Sequence, residues 1–413
     1  MKILIVSQYF WPEPFRVTDL SKELIGKGHK VTVLTGQPNY PMGKLYEEYK
    51  LNPNNFLDLN GVNIVRVPII PRGTGFFRLF INYISFVITA SILAPFKLRG
   101  KEYDVILVVQ LSPVTVGLPA ILLKKIKKIP MVFWVQDLWP GSLEATGAIK
   151  SKLILSTVNQ LVKFIYNQSD IIIAISRAFV KDIQKNCKHP NKVSYLPNWS
   201  DDDDYNKNVT LAAEVDYRPD LFNIVFAGNL GIAQDFQSLF DAVDQLPSNH
   251  RLRWIIVGDG RETPYLEEQV AKRNLQERII LTGRYPLERM PSFFMHADAL
   301  LIMLESNKIY SMTIPSKLQS YLAAGKPIIG MLEGEGFNIL ANNNTGLVCK
   351  SGDSKKLAEN MFMMSTLKDD ELNAMGKSSR EYYLSEFEKE KNINKLESIM
   401  FKVTNLTRRQ NIQ

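Results

Sequence analysis

The sequence predicts an α/β protein of two doubly wound parallel sheets in tandem, and three observations carry that prediction. Its 413 residues suit two large domains or three small ones. Short apolar, β-branched runs alternate with segments long enough for helices, the pattern of parallel strands joined by crossover helices. The alternation stops once, at an acidic, Asn-rich stretch, and then begins again.

The first series of runs is Lys2 to Tyr9, Lys30 to Thr35, Val62 to Ile70, Tyr103 to Gln110, Met131 to Gln136 and Asp170 to Ser176. Pro197-Asn198-Trp199 and the acidic run Asp201 to Asp204 interrupt it, which places a boundary within 198–220. The second series is Asn223 to Ala227, Arg253 to Val257, Arg278 to Thr282, Ala299 to Leu304 and Pro327 to Met331. The domains expected are therefore 1–200 and 201–385, with a C-terminal helix over 386–413 packing back on the first. In open sheets of this kind ligands lie beyond the carboxyl ends of the strands, so residues just after each run are the candidate site, and two facing domains imply a cleft.

Hydrophobic residues make up 45% and charged residues 22%, which excludes collagen-like, wholly disordered and polytopic membrane classes. Cys187 and Cys349 lie far apart and match no metal-ligand spacing, so neither a disulfide framework nor a zinc site is expected, and a reducing compartment is the simpler reading. Gln8 cuts short the apolar run at the start, so no signal peptide is expected. The net charge of +8 is uneven: residues 1–200 hold 25 Lys+Arg against 12 Asp+Glu (+13), and residues 201–413 hold 25 against 30 (−5). Either the first half meets an anionic partner, nucleic acid or a lipid surface, or the excess is a solvated basic face.

Residues 79–96 are eighteen in number and uncharged, the lower limit for a membrane span. A spanning helix there would leave the strands before and after it on opposite sides of the bilayer. Arg78, Asn82, Ser85 and Thr89 form one narrow polar stripe, so such a helix buries more than one face. One face can cover the sheet. The remainder meets either protein or the bilayer interface, where Lys124, Lys125, Lys127 and Lys128 would contact anionic headgroups.

The first run leads into Gln8-Tyr9-Phe10-Trp11-Pro12-Glu13-Pro14 rather than a glycine fingerprint, so no dinucleotide is expected in the first domain. Gly258-Asp259-Gly260 follows a strand and reads either as a ligand loop or as a tight turn. Thr313-Ile314-Pro315-Ser316-Lys317 reads as a helix start, with Pro315 near the first turn, Ser316 able to cap and free amides pointing outwards. Such a terminus suits a diphosphate, and Lys317 would add a full positive charge without a metal, unless it is a solvated helix lysine. Asn229 and Gln234 can donate amide hydrogens to phosphate or sugar, or serve as plain turn and surface residues. Asp137 follows a nearly continuous apolar strand and should face the cleft, with helix capping as the alternative. Arg16 could grip a diphosphate bidentately, or lie on an exposed first turn. His29, His189, His250 and His296 show no partner pattern and receive no role.

Phe10-Trp11-Pro12-Glu13, Val135-Gln136-Asp137-Leu138-Trp139-Pro140, Ile173-Ala174-Ile175-Ser176, Pro197-Asn198-Trp199, Gly228-Asn229-Leu230-Gly231, Ile256-Val257-Gly258-Asp259-Gly260 and Ala324-Gly325-Lys326-Pro327 occur in that order over nearly the whole chain. Together they resemble the family 4 glycosyltransferases, retaining enzymes of the two-Rossmann, B-type architecture. Gln136 to Pro140 combined with Gly228 to Gln234 is similar to a subgroup building bacterial O-antigens and capsules, several of them fucosaminyltransferases. In the wider family an Arg and a Lys after the first strand of the second domain bind the donor diphosphate. Their places match Asn229 and Gln234, both neutral, and two family glutamates fall on Met312 and Ser320.

The resemblance implies donor contacts at Asn229, Gln234, Gly258, Asp259, Arg284, Pro315, Ser316 and Lys317, catalytic positions at Asp137 and Gln136, and acceptor contacts at Glu13, Phe15, Arg16 and Tyr40, with no metal. Gln136 stands where family members carry a histidine for the donor 6-hydroxyl. It either keeps that contact or marks a 6-deoxy donor, best UDP-N-acetyl-L-fucosamine, with Trp134 or Trp139 as an apolar wall. The mechanism implied is front-face: the leaving diphosphate helps deprotonate the acceptor, and stabilisation of its charge carries much of the rate. The expected function is transfer from a UDP-sugar to a polyprenyl-diphosphate-linked saccharide. It would take place in the cytoplasm on an anionic surface, the inner face of the bacterial plasma membrane, with no cofactor and no nucleic acid. The alternatives are a UDP-sugar 2-epimerase of the same architecture and a catalytically silent UDP-sugar-binding subunit.

Overall fold

The computed structural model describes residues 1–410 except 74, 146, 148 and 201–208, so the acidic run Asp201 to Asp204 lies outside the described residues. The chain divides into two compact units, Met1–Leu196 with Ile393–Gln413, and Pro197–Asn392. The first break precedes the expected 200/201. The return falls at 393 rather than 386, because the helix Asp369–Glu386 stays with the second unit and the next helix begins only at Lys389.

Unit 1 is built on one sheet of β1 (Lys2–Val6), β2 (Lys30–Gly36), β3 (Asp58–Leu59), β4 (Val62–Val67), β5 (Val105–Gln110), β6 (Met131–Val135), β7 (Ile171–Ala174) and β8 (Val193–Tyr195). The order is β3-β4-β2-β1-β5-β6-β7-β8, parallel throughout except for the antiparallel edge strand β3. Every residue of β5 and β6 is buried, which is why these strands read as unbroken apolar runs: helices cover both faces. The strands stop short of several expected ends, since Tyr9, Ile70, Gln136 and Ser176 belong to the loops that follow. β3 and β8, two and three residues long, are too short to show a period and went unforeseen.

Unit 2 repeats the plan with β9 (Phe222–Ala227), β10 (Leu252–Val257), β11 (Ile279–Gly283), β12 (Ala299–Met303), β13 (Ile328–Met331) and β14 (Gly346–Cys349), ordered β11-β10-β9-β12-β13-β14. β14 was also unforeseen. Two apolar layers sandwich the sheet, one around Trp254, Leu239 and Met361, the other around Phe293, Leu318 and Tyr383. The order reverses between β9 and β12. Those two strands pair only at Ala299 with Ile224 and Leu300 with Val225, then separate, so a crevice opens at the end of β9.

The helix Phe76–Lys97 connects β4 to β5, members of one sheet, a placement closed to a spanning segment. An 18-residue window within Phe77–Lys97 has a mean hydropathy of 1.8, enough to cross a membrane by length and composition, and 28% of that window is buried. The polar stripe turns inwards at Asn82, opposite to the usual arrangement, while Arg78 at its start is exposed. Asn82 is fully buried, accepting from Gln8 Nε2 at 2.7 Å and donating to the Ile70 carbonyl at 2.6 Å. Ser85 accepts from Ile70 N at 2.9 Å, and Thr89 donates to the Ser85 carbonyl at 2.8 Å. Phe77 and Phe96, both 72% exposed, with Phe80, Ile88 and Ile92, face outwards. The four lysines are not one free cluster. Lys124 pairs with Asp170 at 2.6 Å, and Lys127 donates to the Leu98 and Lys101 carbonyls, leaving Lys125 and Lys128 exposed.

The last helix, Lys389–Gln410, is clasped to unit 1 by Lys27, 2.7 Å from Asn394, and by His29, 2.8 Å from Glu397. His29, given no role by its sequence context, is a buried structural residue.

Candidate active site

In unit 2 the loops after β9 and β10 are laced together. Gly228 N donates to Val257 O at 2.9 Å and Leu230 N to Asp259 O at 2.8 Å. Gly258 has φ +146, and a Cβ there would lie 1.9 Å from the Gly228 carbonyl oxygen; one on Gly260 would lie 2.2 Å from that of Leu230. Backbone packing alone therefore requires both glycines, which favours the tight-turn reading of this motif. Asp259 points outwards, 3.9 Å from Arg284, with both side chains exposed.

Two adjoining cavities lie at this crevice. One, of about 450 Å³, has Asn229 and Gln234 on the β9 side and Pro315, Ser316 and Lys317 on the other. The second, of about 680 Å³, is bordered by Gly258, Asp259 and Arg284, and the two share Gly228, Asn229, Leu287 and Met290. All eight expected donor residues are thus gathered around one crevice of one unit. Leu287, Met290, Leu304 and Tyr310 also line it and were not foreseen. Leu304 directly follows β12, so the rule of looking past each strand would have found it.

Ser316 does not cap. Pro315, with φ −60 and ψ 133, is the capping residue of the helix Ser316–Ala324 and offers no side-chain bond, because proline ends the preceding extended segment one residue earlier. The first amides of this helix consequently have no side-chain partner at the cavity, the arrangement that suits an anion.

Lys317 completes that end. Its ammonium lies 3.4 Å from the centroid of the Phe226 ring and donates to Gln234 Oε1 at 2.8 Å. Gly228 makes room for it, since a Cβ there would stand 2.9 Å from Lys317 Cε. Burial holds the ammonium well below the usual lysine pKa, with no carboxylate opposing that effect. Lys317 is not a solvated helix lysine. Gln234 holds the cation in place as well as bordering the cavity.

In unit 1 the expected acceptor residues divide. Glu13 is 2% exposed and accepts from Asn39 N and Tyr40 N at 2.8 Å and from Phe10 N at 3.0 Å, so its carboxylate staples two loops rather than facing a ligand. Burial pushes its carboxyl up to about 7, against the three amides and the nearby Arg66, which favour the charged form. Phe15 and Tyr40, ring centroids 4.9 Å apart, pack with Tyr9 into an aromatic cluster. Phe15 precedes the helix Arg16–Gly26 as its cap residue, which puts Arg16 on the first turn.

Asp137 accepts from Trp139 Nε1 at 2.9 Å; burial raises its pKa, while Ser142, Trp139 and Ser112 stabilise the charge. It lines a groove with Tyr83, Ser112 and Trp139, and a hydrogen bond between Tyr83 and Tyr9 joins that groove to the aromatic cluster. Trp134 lies buried within β6 and cannot form a ligand wall, whereas Trp139 lines the groove. Gln136 N extends the sheet by donating to Gln110 O at 3.1 Å.

Two family models match in succession: Glycosyltransferase Family 4 over residues 15–204 and glycosyl transferases group 1 over residues 222–366. N-acetyl-alpha-D-glucosaminyl L-malate synthase of Bacillus anthracis is 22% identical over 250 residues, 60% of this chain and 63% of that protein, under two thirds of its length. Escherichia coli WcaI, whose name assigns it to colanic acid biosynthesis, is 24% identical over 345 residues, covering 79% of this chain and 82% of that protein. The crystal structure of Anabaena HepE in complex with UDP and glucose superposes with a TM-score of 0.64 at 15% identity, covering 96% of this chain and 98% of that one. That likeness carries the fold, two Rossmann-like domains of the B-type architecture. With a Family 4 domain followed by a group 1 domain, the chain belongs among the glycosyltransferases.

Proposed function

We propose that the protein is a retaining glycosyltransferase that takes a sugar from a UDP-sugar held by unit 2 and passes it to a polyprenyl-diphosphate-linked saccharide held by unit 1. The observation that carries this reading is the Lys317 ammonium, held over the Phe226 ring and by Gln234 at the cavity beside the uncapped helix start, with no carboxylate partner among the described residues. A diphosphate there pairs with the ammonium and accepts from the helix amides. As the bond from sugar to diphosphate breaks, negative charge grows on the leaving group, and the ammonium and the helix amides are fixed where it grows. A relative named for colanic acid biosynthesis and a UDP-bound structural neighbour support a bacterial surface polysaccharide and a UDP donor. The outward apolar face of Phe76–Lys97 and the basic first half support a peripheral place on an anionic membrane surface. Among UDP-sugars our choice is UDP-N-acetyl-L-fucosamine, on the ground of Gln136.

The test is UDP release from a panel of UDP-sugars, with and without a polyprenyl-diphosphate saccharide. Acceptor-dependent release is the expected result; sugar isomerisation without acceptor, or UDP binding without turnover, overturns the reading. A higher kcat/KM for a 6-hydroxylated donor than for UDP-N-acetyl-L-fucosamine overturns the donor choice alone.

A further inference from the structure

The two cavities of unit 2 meet at Gly228, Asn229, Leu287 and Met290, so a ligand that occupies both has to pass these four residues. A diphosphate at the start of the helix Ser316–Ala324 lies in the smaller cavity. The larger is walled by the loops that follow β10 and β11 and suits the nucleoside, because the sugar to be transferred has to stay open to an acceptor. The pentose, which links base to phosphate, then lies at the joint.

No charged acceptor lines that joint. Gly228 has no side chain, Leu287 and Met290 are apolar, and Asn229 is neutral, its amide nitrogen folded to 2.7 Å from where a Cβ on Gly231 would stand. Hydroxyls on the helix side are turned to the protein. Tyr321 accepts from Ala227 N at 2.8 Å, Thr313 donates to the Tyr310 carbonyl at 3.0 Å, and Ser320 donates to the Ser316 carbonyl at 3.4 Å. The residues lining the smaller cavity include no carboxylate. Asp259 is the single carboxylate lining the larger one, and its exposed side chain lies 3.9 Å from Arg284. A site that reads ribose places an Asp or Glu on the 2′-hydroxyl, since a charged acceptor makes the stronger hydrogen bond.

We infer that the donor site leaves the 2′-hydroxyl unread, so that its donor class comprises ribonucleoside and 2′-deoxyribonucleoside diphosphate sugars alike. A thymidine diphosphate sugar meets no penalty at its pentose. The inference rests on the donor reading above and widens the nucleotide from uridine to the 2′-deoxy series. What the site grips is the diphosphate, through Lys317 and the helix amides, and that group is the same in both series.

The full chain is titrated by calorimetry with UDP and with dUDP, which differ only in that hydroxyl. The two are expected to bind within about threefold of each other, because a neutral hydrogen bond contributes little net whereas one to a carboxylate contributes at least about tenfold. Asn229→Asp puts a carboxylate at the joint with almost no change of shape. It should create a preference for UDP over dUDP of at least about tenfold, read as the ratio of the two affinities, in which repulsion of the diphosphate common to both cancels. A dUDP affinity more than about threefold below that of UDP in the unaltered protein overturns the inference and leaves the donor reading standing. An unchanged ratio in Asn229→Asp takes the pentose away from the joint and overturns it too. If neither nucleotide binds, the donor reading itself falls.

Discussion

The two units share a topology and use it differently. In each, the strand order reverses beside the first strand, at β1 and β5 in unit 1 and at β9 and β12 in unit 2. In unit 2 that point is an open crevice whose loops are made thin by glycine and which is lined by polar groups. In unit 1 Asn82, reaching in from an apolar helix, bonds to Gln8 and closes in on the end of β1, and the open space lies instead against Asp137, beyond β6. Topology fixes where a ligand pocket can form. The loop residues decide whether it stays open and what chemistry it accepts.

The strongest way to break this contrast is Gly258→Ala. A methyl 1.9 Å from a carbonyl oxygen, at a positive φ, cannot be accommodated without moving the loop, so unit 2 should lose about 3 kcal/mol or more of stability and UDP binding with it. Denaturant unfolding followed by UDP calorimetry checks this, and wild-type values for both would show the loops to be looser than their packing indicates.

Glu13→Ala probes the closed side. It leaves three backbone donors without their acceptor in a residue 2% exposed, and should cost about 2–3 kcal/mol with UDP affinity unaltered. The loss should depend on pH. The folded state raises this carboxyl from 4.5 to about 7 and so keeps its proton longer than the unfolded chain does. Stability from this group is therefore complete below about 4.5 and declines as pH rises to about 7, so the mutation should cost more at pH 5 than at pH 8. Melting curves at both pH values decide it; a pH-independent loss would contradict the raised value.

Lys317→Ala sharpens the open side, with an expected fall in UDP affinity of about 1.5–3 kcal/mol and little change in stability. Because burial lowers the lysine pKa and a bound diphosphate raises it, UDP binding should take up protons and weaken as pH rises, whereas Lys317→Arg should bind UDP with a flatter pH profile. Calorimetry in buffers of different ionisation enthalpy counts the protons. Binding without uptake would mean that the ammonium is already fully charged in the free protein.

Eleven strands were legible because burial on both faces turns them into apolar runs, whereas β3, β8 and β14 leave two to four residues each and no period. Part of the unit 2 crevice was legible for a topological reason, as Asn229, Gly258, Asp259 and Arg284 lie just past the ends of strands. Relations between distant residues were not: Lys317 meets Gln234 across 83 residues, and Glu13 meets Asn39 and Tyr40 across 26 and 27. Local sequence carries no trace of such partners. The helix Phe76–Lys97 is the instructive case, since its stripe was readable but not its direction. A polar stripe normally faces water; here Asn82 is needed inside, at the end of β1.

Unit 2 is an insertion within unit 1, for the chain leaves unit 1 at Leu196 and returns at Ile393. Lys27 and His29, near the beginning, cannot find Asn394 and Glu397 until all 196 residues of unit 2, 197 to 392, have been made. At about 5–20 residues per second that delay is roughly 10–40 s on the ribosome. Unit 2 is contiguous and can fold as it emerges, whereas unit 1 must wait, its apolar helix already synthesised and its last helix still missing. The half of the protein that carries the long apolar helix is the half whose folding finishes last.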